Sequence, residues 1–152
     1  MSIATRLTEL NITLPDAPAP AANYVPYVQS GNLLFVSGQI SNGPQGLIKG
    51  RLGDDMETAA GAAAARACGL ALLAQANAAL GSLDRVARVV KLTGFVASTA
   101  DFTDQPEVIN GCSDLMVEVF GDKGRHARAA VSAAALPRGV AVEVEAVFEI
   151  GA

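Results

Sequence analysis

The sequence predicts an α+β fold of order ββαβαββ, a mixed sheet with two helices on one face. Three observations carry this. Short β-branched runs bounded by Gly, Pro and Asn alternate with two longer helical segments. The last run alternates apolar and acidic residues, as a strand with two unlike faces does. The chain has 152 residues, of which 51% are hydrophobic, enough for one domain with its own core.

The N-terminal stretch 1–22 reads as an arm. A short helical turn is expected near Thr5–Leu10, and Pro15–Ala22 reads as extended. Tyr24–Gln29 and Leu33–Ile40 form a hairpin around Ser30, Gly31 and Asn32. Ser41–Gly53 is rich in Gly and reads as a flexible loop, of a length that often borders a site. Asp54 is placed to cap the Ala-rich helix Met56–Leu80, and Gly81 to stop it. Gly61 and Gly69 lie on nearly one face of that helix, which implies close packing there. Val89–Ala97 is a third strand. Pro106 suits the start of a second helix, Glu107–Phe120, stopped by Gly121.

The segment Ala127–Ile150 reads as a closing hairpin turned at Leu136-Pro137-Arg138-Gly139. In its second strand Val140, Val142, Val144, Ala146 and Phe148 share the face toward the helices. Glu143, Glu145 and Glu149 face away. The short turn sets Ala135 opposite Val140, Ser132 opposite Glu143 and Arg128 opposite Val147. Arg128 then shares the outer face with Glu143, four residues or ~13 Å from it. One small ligand cannot touch both in a single subunit. If both serve one site, a second copy of the chain supplies one of them. Arg128 suits a carboxylate ligand because its planar fork binds both oxygens; an ion pair with Glu145 or Glu149 is the structural alternative. Glu143 could orient or deprotonate a water, or be a solvated edge carboxylate.

Other classes lose support. With 11 Lys and Arg against 15 Asp and Glu, the formal net charge is −4, and no basic run suggests nucleic acid. Cys68 and Cys112 read as buried reduced thiols. A single His makes a His-based metal site improbable, and His126 reads as a solvent-facing loop residue. The apolar run Ala59–Leu80 is broken by Arg66, Gln75 and Asn77 and reads as too polar to span a bilayer comfortably. The start of the chain lacks a secretory pattern, so a soluble cytoplasmic protein is expected.

Arg128-Ala129-Ala130-Val131, Leu136-Pro137 and Val142-Glu143-Val144-Glu145-Ala146, with Tyr27-Val28-Gln29 and Val36-Ser37-Gly38-Gln39-Ile40, resemble the Rid family, also called the YjgF or L-PSP endoribonuclease family. The resemblance implies a chorismate-mutase-like homotrimer in which three sheets close a central barrel, with clefts between subunits. It also implies hydrolysis of short-lived enamines and imines, of the 2-aminoacrylate type, to 2-oxo acids and ammonia without a cofactor. Carried over by position, Arg128 binds the substrate carboxylate, Glu143 positions the attacking water and Tyr27 lines the pocket and assists proton transfer. Ser37 and Gly38 shape its wall. Ala130 stands where the best-known deaminases carry Cys. Ser113 stands where they carry Asn, with Asn110 a turn away. Two alternatives remain at this level: a non-catalytic or regulatory binder of a small carboxylate, and an endoribonuclease.

Overall fold

The computed structural model describes residues 1–20 and 22–151; Ala21, in the expected arm, and Ala152 lie outside the described residues. Its elements are α1 (Ile3–Glu9), β1 (Tyr27–Ser30), β2 (Leu33–Ile40), β3 (Asn42–Gly43), β4 (Gly46–Leu47), α2 (Thr58–Leu80), β5 (Val86–Ala97), α3 (Gln105–Phe120), β6 (Ala127–Ala133) and β7 (Val142–Ile150). The main sheet runs β1-β2-β7-β5-β6, and β3 and β4 pair separately. The α+β class and the expected order of the larger elements are observed, and both α2 and α3 pack on one face.

The closing hairpin is not. β5 lies between β6 and β7, parallel to β6 and antiparallel to β7. The Leu-Pro-Arg-Gly stretch is therefore a bridge across the end of β5 rather than a turn between neighbours. Val140 is held there by Lys49, and Ala141 donates to the carbonyl of Ile48. This reverses the facing of β6. Arg128 pairs with Leu92 and Ala130 with Gly94, in rows whose members are buried under the helices. Arg128, Ala130 and Ser132 thus belong to the helix side, and Ala129, Val131 and Ala133 to the bare side. The facing of β7 is as expected: Val142, Val144, Ala146 and Phe148 are buried, and Glu143, Glu145 and Glu149 point the other way.

Smaller differences have local causes. β1 begins at Tyr27 rather than Tyr24, after Pro26, which cannot donate to a ladder. Asp54 does not cap α2; the capping position is Glu57, without a side-chain bond. Asp55 instead accepts from the backbone N–H of Arg51. Gly81 ends α2 in the left-handed region, with φ of 78°. The 41–53 segment is structured by the β3–β4 pair and by Leu52, which is buried and bonded to Ala97 and Thr99.

The core is mostly small and aliphatic, so helix contact is close. A methyl group on Gly69 would meet Leu115 and Cys112, and one on Gly61 would meet Val108. Their closeness to α3 matches the expectation from their spacing. Gly111 of α3 comes nearer still, against the backbone carbonyl of Ala62. Cys68 and Cys112 are free and buried, and burial pushes the Cys112 thiol up to about 12. Contrary to the sequence reading, α2 is long and apolar enough to cross a membrane, but 61% of its apolar window is buried inside the fold.

Candidate functional site

Arg128 sits on edge strand β6, where α3 overhangs it. Its Nη1 donates to Oδ1 of Asn110 at 2.8 Å and to Oγ of Ser113 at 3.1 Å. An Nη1 carries two hydrogens, so both are used. The Nε–Nη2 edge keeps its parallel donors, the arrangement that grips a carboxylate at both oxygens. Among the described residues Arg128 has no ion pair, and Glu149 accepts from Asn32. The expected structural partners Glu145 and Glu149 therefore do not hold it.

His126, two residues before Arg128, is half-buried rather than solvent-facing. Its Nδ1 lies 2.6 Å from the carbonyl of Gly124 and its Nε2 lies 2.9 Å from Oγ of Ser113. Burial holds its pKa below the usual histidine range, with the nearby Arg128 charge adding to the effect. No sequence signal marks this contact, because Ser113 and His126 meet only once α3 folds back on β6.

Glu143 lies on β7, opposite Ile40 and Phe95. Its partner strand β2 bulges between Val36 and Gln39, so Ser37 and Gly38 have no ladder partners. The bulge and the missing Cβ of Gly38 leave the space that the Glu143 carboxylate fills. Ser37 Oγ is committed to the carbonyl of Val25 at 2.8 Å, so Ser37 contributes shape rather than a free hydroxyl. Burial raises the Glu143 pKa above the usual carboxylate value, and Glu145 adds to it.

A cavity of about 290 Å³ opens at Glu143. Tyr24, Gln39, Gln75, Asn42 and Arg138 line it, with Pro18 and Pro20 of the arm. Gln39 and Gln75 are buried; Gln75 Nε2 donates to the carbonyl of Pro18 at 2.6 Å. The arm is thereby tied over this cavity. The sequence reading missed Tyr24, Gln39, Gln75 and Arg138. The expected loop at 41–53 does border it, through Asn42 and Leu47. Tyr27, on β1, is not in the lining; it pairs with Val36 of β2 and packs against the core.

The predicted residues thus form two groups. Arg128, Asn110 and Ser113 meet at one edge, and Glu143 meets Gly38, the neighbour of Ser37, two strands away. Two strand spacings and three residues along the strand put Arg128 and Glu143 ~14 Å apart, on opposite faces. Tyr27 and Arg128 stand in one lateral row at opposite sheet edges, ~19 Å apart. The hairpin register was wrong, but the separation it implied between Arg128 and Glu143 remains. Among the described residues no group of His, Cys, Asp and Glu could hold a metal ion.

The sequence profile of the Endoribonuclease L-PSP family matches residues 14–150. The chain belongs to that family. In this L-PSP family, also called Rid or YjgF, the protein TCP17 of Trypanosoma cruzi is 54% identical over 150 residues, covering 97% of this chain and 94% of the relative. A crystal structure from Agrobacterium tumefaciens, of a protein with unknown function, shares 48% identity. It superposes with a TM-score of 0.89 over 98% of this chain and 94% of that one. The Escherichia coli L-PSP relative TdcF, solved with bound serine, is 26% identical, with a TM-score of 0.62 over 88% of this chain and 92% of that one.

Proposed function

We propose that this L-PSP protein hydrolyses small imines and enamines that carry a carboxylate, releasing a 2-oxo acid and ammonia. The observation that carries the reading is the open Nε–Nη2 edge of Arg128, with Nη1 fully occupied by Asn110 and Ser113. Such an edge is a carboxylate clamp held in advance of its ligand. Serine, bound in TdcF, is a small amino acid with the same carboxylate group.

The site is shared between subunits of a homotrimer, since ~14 Å separates Arg128 from Glu143 within one chain. The bare sheet face supports association: Val28, Phe35 and Val131 are exposed there, beside Phe95 and Val147. The Arg128 of one subunit holds the carboxylate. Glu143 of another takes a proton from water as its oxygen attacks the imine carbon and passes it to the nitrogen, giving a carbinolamine; the carbinolamine hydroxyl proton then follows by way of Glu143 to the nitrogen, so that the C=O bond forms as the C–N bond breaks and ammonia leaves. A carboxyl with a raised pKa is a better base for that task. Tyr27, on the helix side of the β1 edge and outside the Glu143 cavity, has no step in this scheme, and Ser37 and Gly38 form the wall behind Glu143. No cofactor enters this scheme.

The test is a coupled assay in which an amino-acid oxidase supplies the imine. Wild type is expected to speed its loss, and Arg128→Ala and Glu143→Gln to abolish the effect. Unchanged imine decay over several amino-acid-derived imines would overturn the reading. A second reading, a binder of small carboxylates without turnover, is favoured by one point: the clamp is complete without Glu143. Binding of 2-oxobutanoate retained in Glu143→Gln, with no wild-type turnover, would select it.

A further inference from the structure

We propose that His126 is a positioning residue, a neutral hydrogen-bond acceptor that orients Ser113 and through it aims Arg128 at its ligand. The inference rests on the reading of Arg128 as a carboxylate clamp, but the direction of the hydrogen bonds can be worked out without it.

A carbonyl oxygen can only accept, so the 2.6 Å contact with Gly124 requires a proton on His126 Nδ1. In the neutral ring Nε2 is then an acceptor. Its 2.9 Å partner, Ser113 Oγ, must donate to it. With its proton committed, Ser113 offers only lone pairs, and Arg128 Nη1 donates to one at 3.1 Å. The chain has one polarity throughout: Arg128 to Ser113, Ser113 to His126, His126 to the Gly124 carbonyl. Asn110 takes the second Nη1 hydrogen through its carbonyl oxygen. The guanidinium is thus fixed by two acceptors on α3, one of them kept an acceptor by His126.

The backbone supports this. Gly124 is buried, and a methyl group there would meet the carbonyl of Met116 in α3. That close approach puts the Gly124 carbonyl under His126. The charged groups around the ring are Arg128 on β6, Arg125 beside it (3.5 Å from Asp122), Asp114 on α3 in the same hollow, and Arg88 on β5, which donates to the carbonyl of Arg125. Burial and, after it, the Arg128 charge favour the neutral form of the ring, against the Gly124 hydrogen bond, which favours the charged form.

His126 is the single histidine of the chain, so its ¹⁵N resonances need no assignment. The experiment is ¹⁵N NMR on the full-length protein, alone and with 2-oxobutanoate, beside calorimetric titration with the same acid. The neutral ring protonated at Nδ1 is expected at neutral pH. Its titration midpoint should rise in Arg128→Gln, and also when 2-oxobutanoate neutralises Arg128. His126→Ala should weaken 2-oxobutanoate binding by about five-fold, the scale of one net hydrogen bond, and His126→Gln, whose amide oxygen can accept from Ser113, should restore most of it. A ring protonated at Nε2, a charged ring at neutral pH, or undiminished binding by His126→Ala overturns the proposal. If wild type shows the Nδ1 tautomer and the Arg128→Gln shift but no 2-oxobutanoate binding, the clamp reading falls while the hydrogen-bond relay is supported.

Discussion

The carboxylate of Glu143 occupies the space that a side chain on Gly38 would need. The β2 bulge and the absent Cβ together let a half-buried acid lie flat on its neighbouring strand. Gly38→Ala should therefore displace Glu143 at a stability cost of about 1–3 kcal/mol, the usual cost of inserting a methyl group into packed structure. Imine hydrolysis should fall at least as far as in Glu143→Gln while the circular dichroism spectrum is retained. Activity and thermal unfolding measured together check this.

The raised pKa of Glu143 fixes a pH dependence. Burial and then Glu145 disfavour its charged form in the folded state. A carboxyl raised on folding favours the native state below its unfolded pKa, and loses that contribution as pH rises through the folded value. Glu143→Gln should therefore melt at a higher temperature than wild type above that window, with the difference vanishing in acid. Wild-type activity should rise with pH across the same window, because the base must be ionised. Melting curves and rates over one pH series test both signs.

Arg128→Lys keeps the charge but removes the fork. Binding of a 2-oxo acid should weaken more than ten-fold, since a single ammonium cannot replace two parallel charged hydrogen bonds. Stability should change little, because Arg128 stands at a sheet edge without an ion pair among the described residues. Calorimetric titration against the urea unfolding midpoint separates the two effects.

The bare sheet face offers a test of assembly. Val131 and Phe35 are 45% and 40% exposed, too open to be the core of this chain alone. Val131→Asp with Phe35→Asp should lower the solution mass to that of one chain and abolish hydrolysis while secondary structure persists. Light scattering on wild type and the double variant gives the answer.

Gly111 tests the helix interface. Its contact with the carbonyl of Ala62 leaves no room for a methyl group. Gly111→Ala should destabilise by about 1–3 kcal/mol, despite alanine's better helix propensity. Urea unfolding gives the sign directly.

The alternation of β7 was legible because its two faces differ in polarity, and the helix faces were legible through Gly61 and Gly69. The pairing of β6 was not. An edge strand of Ala, Val and Ser fits either neighbour, and a Pro-Gly stretch looks alike whether it turns a hairpin or bridges a third strand. That ambiguity put Arg128 on the wrong face. The separation of Arg128 from Glu143 was still legible, because both registers keep the two far apart. Tyr24, Gln39 and Gln75 line the Glu143 cavity from a loop, a strand and a helix, and only tertiary contact joins them. The half-burial of His126 likewise depends on tertiary contact.

The position of β7 has a consequence for how the molecule is made. Residues 142–150 lie between β2 and β5, so the strand that completes the middle of the sheet is the last of its five strands to be synthesised. The β1–β2 hairpin and the β5–α3–β6 unit have no strand joining them until it arrives. Folding of the whole sheet must therefore wait for translation to reach residue 150, and its rate should be limited by these distant pairings. Until then the apolar flanks of both pieces are open edges, and a ribosome stalled before residue 142 would hold a chain prone to pair with its neighbours.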